Sequence, residues 1–241
     1  MALIRNYAGR EDGGYTRVVG DPLLGKLFSR VHSTVIGSGN ELERLIQDRV
    51  EAITEFDDFL KWETYPARVF LAPKKLIKKS RTIDIDGAEP DFVIFDTAKQ
   101  HCHIVELKDG DAFDTKKAAG ELASMDKFRT RISPHIRFSV SIHFCCFHAE
   151  SRKAVIEAFK RRITEEEAMT GREFCALLAI DYDEILRLRT AHQQENLEFV
   201  ATELLQIEAL RPALAAGLVE DRRTARIKPP TGAQLGLFGA D

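Results

Sequence analysis

Pro90-Asp91 is followed, after fourteen intervening residues, by Glu106-Leu107-Lys108. Asp91 opens the apolar run DFVIF, and the acid and lysine close the run CHIVELK; both runs read as buried strands. Strand side chains alternate between faces, so Cys102, Ile104, Glu106 and Lys108 share one face while His103, Val105 and Leu107 share the other. An acid and a lysine projecting together from a buried strand are costly unless paired or bound to a cation. Pro90 fits a strand's first position, where no ladder N–H is lost. If the two strands are neighbours, Asp91 and Glu106 converge on one site. Such oxygen ligands suit Mg²⁺, which keeps several waters and is held by one or two carboxylates together with substrate phosphate. The pattern points to metal-dependent phosphodiester chemistry, with Lys108 orienting a water or stabilising charge growing on phosphorus.

This arrangement of Pro90-Asp91 and Glu106-Leu107-Lys108, with hydrophobic strands on both sides, resembles the PD-(D/E)XK nuclease superfamily, and within it the type II restriction endonucleases. The resemblance implies an α/β protein with an α/β/α restriction-endonuclease-like core around a mixed central sheet, here followed by a C-terminal helical segment. It implies Asp91, Glu106 and the backbone carbonyl of Leu107 as metal ligands, Lys108 as the catalytic lysine, and Mg²⁺ as cofactor, with Mn²⁺ as a substitute. Family members commonly carry a further acid on an upstream helix, often soon after a glycine. A helix is expected from about Asn40 to Leu60, with Asn40 as N-cap and apolar residues at Leu42, Leu45, Ile46, Val50, Ile53 and Phe56. Glu43 in GNELE is the best match for the extra acid, with Glu51 and Glu55 as rivals. The implied activity is sequence-specific cleavage of double-stranded DNA. The alternatives are a repair, recombination or transposon-end nuclease of the same superfamily, and a non-catalytic DNA-binding protein whose acids are structural.

With 241 residues, 44% of them hydrophobic and 30% charged, the chain can bury one good core with additions. The expected organisation is an N-terminal arm over 1–40, the nuclease core over 40–150, a helical segment over 151–222 and a flexible tail over 223–241. Within the core, strands are expected near 67–72, 80–86, 91–96, 102–108 and 136–147, with a helix from about Thr115 to Arg131 capped by Asp114. Further helices are expected over 151–162, from Arg172 to Ile180, and from about Tyr182 to Leu210. In the last, Leu197, Val200, Leu204, Ile207 and Leu210 form an apolar stripe that serves either packing or a homodimer interface.

A net charge of -3 gives no global signature of nucleic-acid binding, so any DNA surface must come from local segregation of charge. APKKLIKKSR supplies Lys74, Lys75, Lys78, Lys79 and Arg81 between two strand-like runs, as a hairpin that either contacts phosphate or is simply solvated. Lys116 and Lys117 offer a second basic cluster after the metal motif. The four cysteines fit a reducing compartment, and with no apparent signal peptide or membrane-length apolar run a cytoplasmic location is expected. His143, Cys145, Cys146 and His148 look like zinc ligands, but strand alternation sends His143 and Cys145 to one face and Cys146 and His148 to the other, which favours a core strand.

Near the end, Gln234-Leu235-Gly236-Leu237-Phe238 resembles the QL-x-LF pentapeptide by which bacterial polymerases and repair proteins dock on the sliding clamp. Leu237 and Phe238 would be apolar anchors on a tether made extended by Pro229 and Pro230. The plainer reading is a tail strapped onto its own domain.

Overall fold

The computed structural model describes residues 1–85, 87–110, 115–212 and 215, with the backbone alone at 115–117. The QLGLF tail and the Asp114 cap lie outside the described residues, as do the side chains of Lys116 and Lys117. The chain divides into two compact units: Met1–Leu3 with Thr34–Gln193, and Ile4–Ser33 with Gln194–Asp241. Its helices are α1 (Gly14–Val19), α2 (Pro22–Gln47), α3 (Phe56–Leu60), α4 (Lys74–Ile77), α5 (Thr115–Ile132), α6 (Arg152–Ala158), α7 (Gly171–Leu177) and α8 (Tyr182–Gln206). Its strands are β1 (Val69–Pro73), β2 (Phe92–Asp96), β3 (His101–Lys108), β4 (Ser139–Cys146) and β5 (Ala168–Thr170).

The larger unit is an α/β structure built on one sheet of order β1-β2-β3-β4-β5. The pairs β1–β2 and β2–β3 are antiparallel, and β3–β4 and β4–β5 are parallel, so the sheet is mixed. The parallel pair β3–β4 needs a long crossover, which α5 supplies. One face of the sheet, bearing Val93, Phe95, Cys102 and Ile104, packs against Phe56 and Phe59 of α3 and Met125 and Phe128 of α5. The other face, bearing Phe92, Ile94, Val105 and Leu107, packs against Leu42, Leu45 and Ile46 of α2, Phe174 of α7 and Ile185 of α8. Burial on both faces explains why FVIF is apolar without a break. Gly171 opens α7 where an added Cβ would lie 2.1 Å from the Phe147 carbonyl oxygen, so no larger residue permits that approach.

Three local expectations change. The segment after β1 is one helical turn, α4, and not a hairpin; Pro73 sets its entry in extended conformation and Ile77 is buried beneath it. TIDID is not a strand: Ile83 and Ile85 reach the core from irregular backbone, and β1 pairs directly with β2. The helix expected over 40–60 begins far earlier, at Pro22, and stops at Gln47. Beyond it the chain runs extended beside β1, with the Ile53 N–H donating to the Leu71 carbonyl at 2.9 Å, before Phe56 starts α3. On β4, Cys145 and Cys146 do enter opposite cores, as alternation requires. His143 instead meets Ser141 Oγ at 2.7 Å and His103 at 3.0 Å within a polar strip across β3 and β4.

In the smaller unit, Thr16 of α1 sits so close to α2 that a Cβ on Gly25 would lie 2.1 Å from its Oγ1. The Arg30 guanidinium lies 4.4 Å from the ring centre of Phe199 and 3.5 Å from Glu203. The C-terminal part of α8 is only partly covered: Ile207, just beyond it, is buried, whereas Leu197 is 64% exposed.

Candidate active site

The antiparallel register pairs Phe92 with Val105, so the next positions outward set Asp91 opposite Glu106 on one face of the sheet. Both acids are buried. Asp91 is fixed from two sides: its Oδ2 accepts the Leu107 N–H at 2.9 Å, and its Oδ1 lies 3.2 Å from the Lys74 ammonium. The Lys74 N–H also donates to the Asp91 carbonyl at 2.8 Å, so the first residue of α4 is tied to the start of β2 twice. Lys108 Nζ donates to Glu106 Oε1 at 2.5 Å and to Glu121 Oε1, on α5, at 2.9 Å. An open cleft of about 390 Å³ lies over this sheet end, lined by Lys74, Glu89, Glu106, Glu121, Ser124 and Met125.

Glu43 reaches the same place from α2. Its carboxyl is pushed up to about 7, first by burial and then by the Asp91 charge, against the pull of Lys74 and Lys108. Its rivals go elsewhere: Glu51 pairs with Arg68 at 2.6 Å, and Glu55 precedes α3 on the surface. Glu106 is raised to about 8 by burial, by the Asp91 charge and by a hydrogen bond with Glu121. Burial disfavours the ammonium of Lys74 and that of Lys108, yet neighbouring carboxylates more than offset it and both are raised.

A hard divalent cation fits these residues. Carboxylates crowded until their charge is disfavoured are relieved by added positive charge, and the donors are oxygens. Among the described residues no three His, Cys, Asp or Glu side chains close a metal cage.

Of the basic residues singled out in the sequence, Lys74 belongs to the site itself and Lys78 pairs with Glu89 at 2.6 Å. Lys75, Lys79 and Arg81 stand exposed beside the cleft-lining segment. Sequence reasoning passed over Glu121 and Arg189, although both carried a signal. Glu121 lies on the stripe of α5 that buries Ala118, Met125, Phe128 and Ile132, where a charge is out of place. Arg189 follows the buried Ile185 by one helical turn and is itself only 2% exposed. It binds both oxygens of Asp109 at 2.6 Å and Glu41 Oε2 at 3.3 Å. Asp109 follows Lys108 directly and Glu41 precedes Glu43 by two residues, so one buried guanidinium ties together the two elements that bring lysine and acid to the site.

No family model matches the chain, and no solved structure matches it. Over 220 residues it is 41% identical to the type II restriction enzyme HhaII of Haemophilus parahaemolyticus, an alignment spanning 88% of this chain and 97% of that enzyme. Identity of that extent over nearly the whole of both chains shows that the chain belongs to the type II restriction enzyme family.

Proposed function

We propose that the protein is a Mg²⁺-dependent, sequence-specific endonuclease that hydrolyses phosphodiester bonds in double-stranded DNA. The observation that carries this reading is the convergence of Asp91, Glu106 and Lys108 at one sheet end over an open cleft. Asp91, Glu106 and the Leu107 carbonyl would hold the cation, with Glu43 as a further acid beside them. When bound, the cation supplies Lewis-acid polarisation of the scissile phosphate and lowers the pKa of a bound water. The Leu107 N–H holds the Asp91 carboxylate in one orientation. The Lys108 ammonium presents fixed positive charge where negative charge develops on phosphorus. Lys74 sits beside Asp91, where it limits the repulsion between the acids.

The direct test is incubation with plasmid and Mg²⁺ followed by sequencing of the product ends. Discrete fragments with one recurring end sequence are expected. Cleavage confined to branched or damaged DNA, or no cleavage at all, would remove the assignment.

The exposed cations predict a separable effect. Replacing Lys75, Lys79 and Arg81 with alanine should weaken DNA binding uniformly across sequences and reduce the slope of log K against log salt by about 0.9 for each phosphate that is no longer neutralised. Binding titrations in Ca²⁺ over several salt concentrations check this; an unchanged slope returns the three residues to plain solvated surface.

A further inference from the structure

Among the described residues, the Lys108 Nζ has two carboxylate partners, Glu106 and Glu121. Glu106 is a proposed cation ligand, so its oxygens are shared between a cation and the ammonium beside it. Glu121 comes from a different element, α5, thirteen positions beyond Lys108, and its Oε1 holds the same ammonium at 2.9 Å. Both side chains are well covered, with Lys108 16% and Glu121 17% exposed, so the pair is little screened by solvent. A long lysine side chain without a fixed partner spreads over many rotamers. Around Glu121, α5 is anchored by Ala118, Met125 and Phe128 in the core, which makes its carboxylate a rigid reference point.

We propose that Glu121 is a positioning residue that, from a second element, holds the Lys108 ammonium at the scissile phosphate. The inference rests on the catalytic reading of Lys108 under the proposed function. Through this ion pair α5 gains a part in the chemistry while staying clear of the reacting atoms.

The test uses the full chain with Glu121→Ala, Glu121→Gln, Lys108→Ala and the double variant Glu121→Ala/Lys108→Ala. Three quantities are read: the single-turnover cleavage rate at saturating DNA, DNA affinity in Ca²⁺, and Ca²⁺ affinity by calorimetry. Glu121→Ala should slow cleavage about 10²-fold, the cost of a catalytic group that has lost its placement. Glu121→Gln keeps an oxygen acceptor of the same shape and should recover part of that rate, and it also serves as the test should the alanine variant fold poorly. Both affinities should stay within about twofold of the parent protein, and the double variant should be no slower than Lys108→Ala alone, because the two residues act as a unit. A Glu121→Gln protein as fast as the parent while Lys108→Ala is inactive would overturn this inference and leave the catalytic reading of Lys108 standing. A tenfold loss of Ca²⁺ affinity in either Glu121 variant would also overturn it, by making Glu121 a ligand. Full activity of Lys108→Ala would remove both readings together.

Discussion

Asp91→Asn, Glu106→Gln and Lys108→Ala are each expected to lower the single-turnover cleavage rate about 10²–10³-fold or more, as loss of one preorganised electrostatic group does. Folding should survive in all three, and Glu106→Gln should change how stability depends on pH. The Glu106 carboxyl has an ordinary value of 4.5 and stands at about 8 in the folded chain, chiefly because burial and the Asp91 charge disfavour its ionised form. Between those values the native state keeps a proton that the unfolded chain has released, so stability is fully present below about pH 4.5 and is lost as pH rises towards 8. Glutamine has no proton to lose. Thermal melts in EDTA from pH 5 to pH 9 should therefore show the parent protein falling relative to Glu106→Gln, with the variant equal or more stable at the alkaline end. Cleavage by Glu106→Gln at the parent rate would sink the metal-site assignment, and a variant that loses stability faster than the parent as pH rises would sink the account of the buried acid.

Arg189→Ala should cost about 3–5 kcal/mol of folding stability, the range for breaking a buried ion pair from one side. The guanidinium is nearly inaccessible, binds both Asp109 oxygens at 2.6 Å and reaches Glu41 at 3.3 Å. Its removal leaves two partly buried carboxylates without their main partner. Among the described residues Asp109 would keep His148, at 3.1 Å, and Glu41 the N-terminal amine at 3.2 Å and His192 at 3.6 Å, and none of these replaces a bidentate pair. Removing both charges together, in Arg189→Met/Asp109→Leu, should recover much of the loss, since the penalty lies in the orphaned charge. Urea unfolding of the three proteins measures this. A loss under about 1 kcal/mol for Arg189→Ala would reduce the cluster to an ordinary partly solvated network. Because the same ion pairs hold the residues flanking Lys108 and Glu43, Arg189→Ala should also cleave more slowly at temperatures where it remains folded.

The candidate site was legible along the chain because its parts follow local rules. Alternation within CHIVELK put Glu106 and Lys108 on one face, and Pro90 marked the start of the neighbouring strand. Alternation likewise placed Cys145 and Cys146 in different cores and so removed the apparent zinc set. These inferences need only the two-residue period of a strand, which neighbours do not alter.

Folding settled what depends on competition among equal local choices. Asn40 looked like the cap of a helix, yet α2 runs through it and through Gly37 and Gly39. An interior glycine costs only about 1 kcal/mol, which burial of Leu42, Leu45 and Ile46 against the sheet outweighs. That helix carries Glu43 to the neighbourhood of Asp91 and ends at Gln47, which leaves Glu51 and Glu55 beyond it on the surface. Lys74 read as one of five equivalent surface cations until the turn of α4 placed it against Asp91. The order of residues along the chain was therefore enough to place Glu106 and Lys108 on one face of one strand. Packing between elements set which distant charges, Glu43, Lys74, Glu121 and Arg189, are brought to bear on them, because an ion pair across elements exists only once the core has fixed both partners.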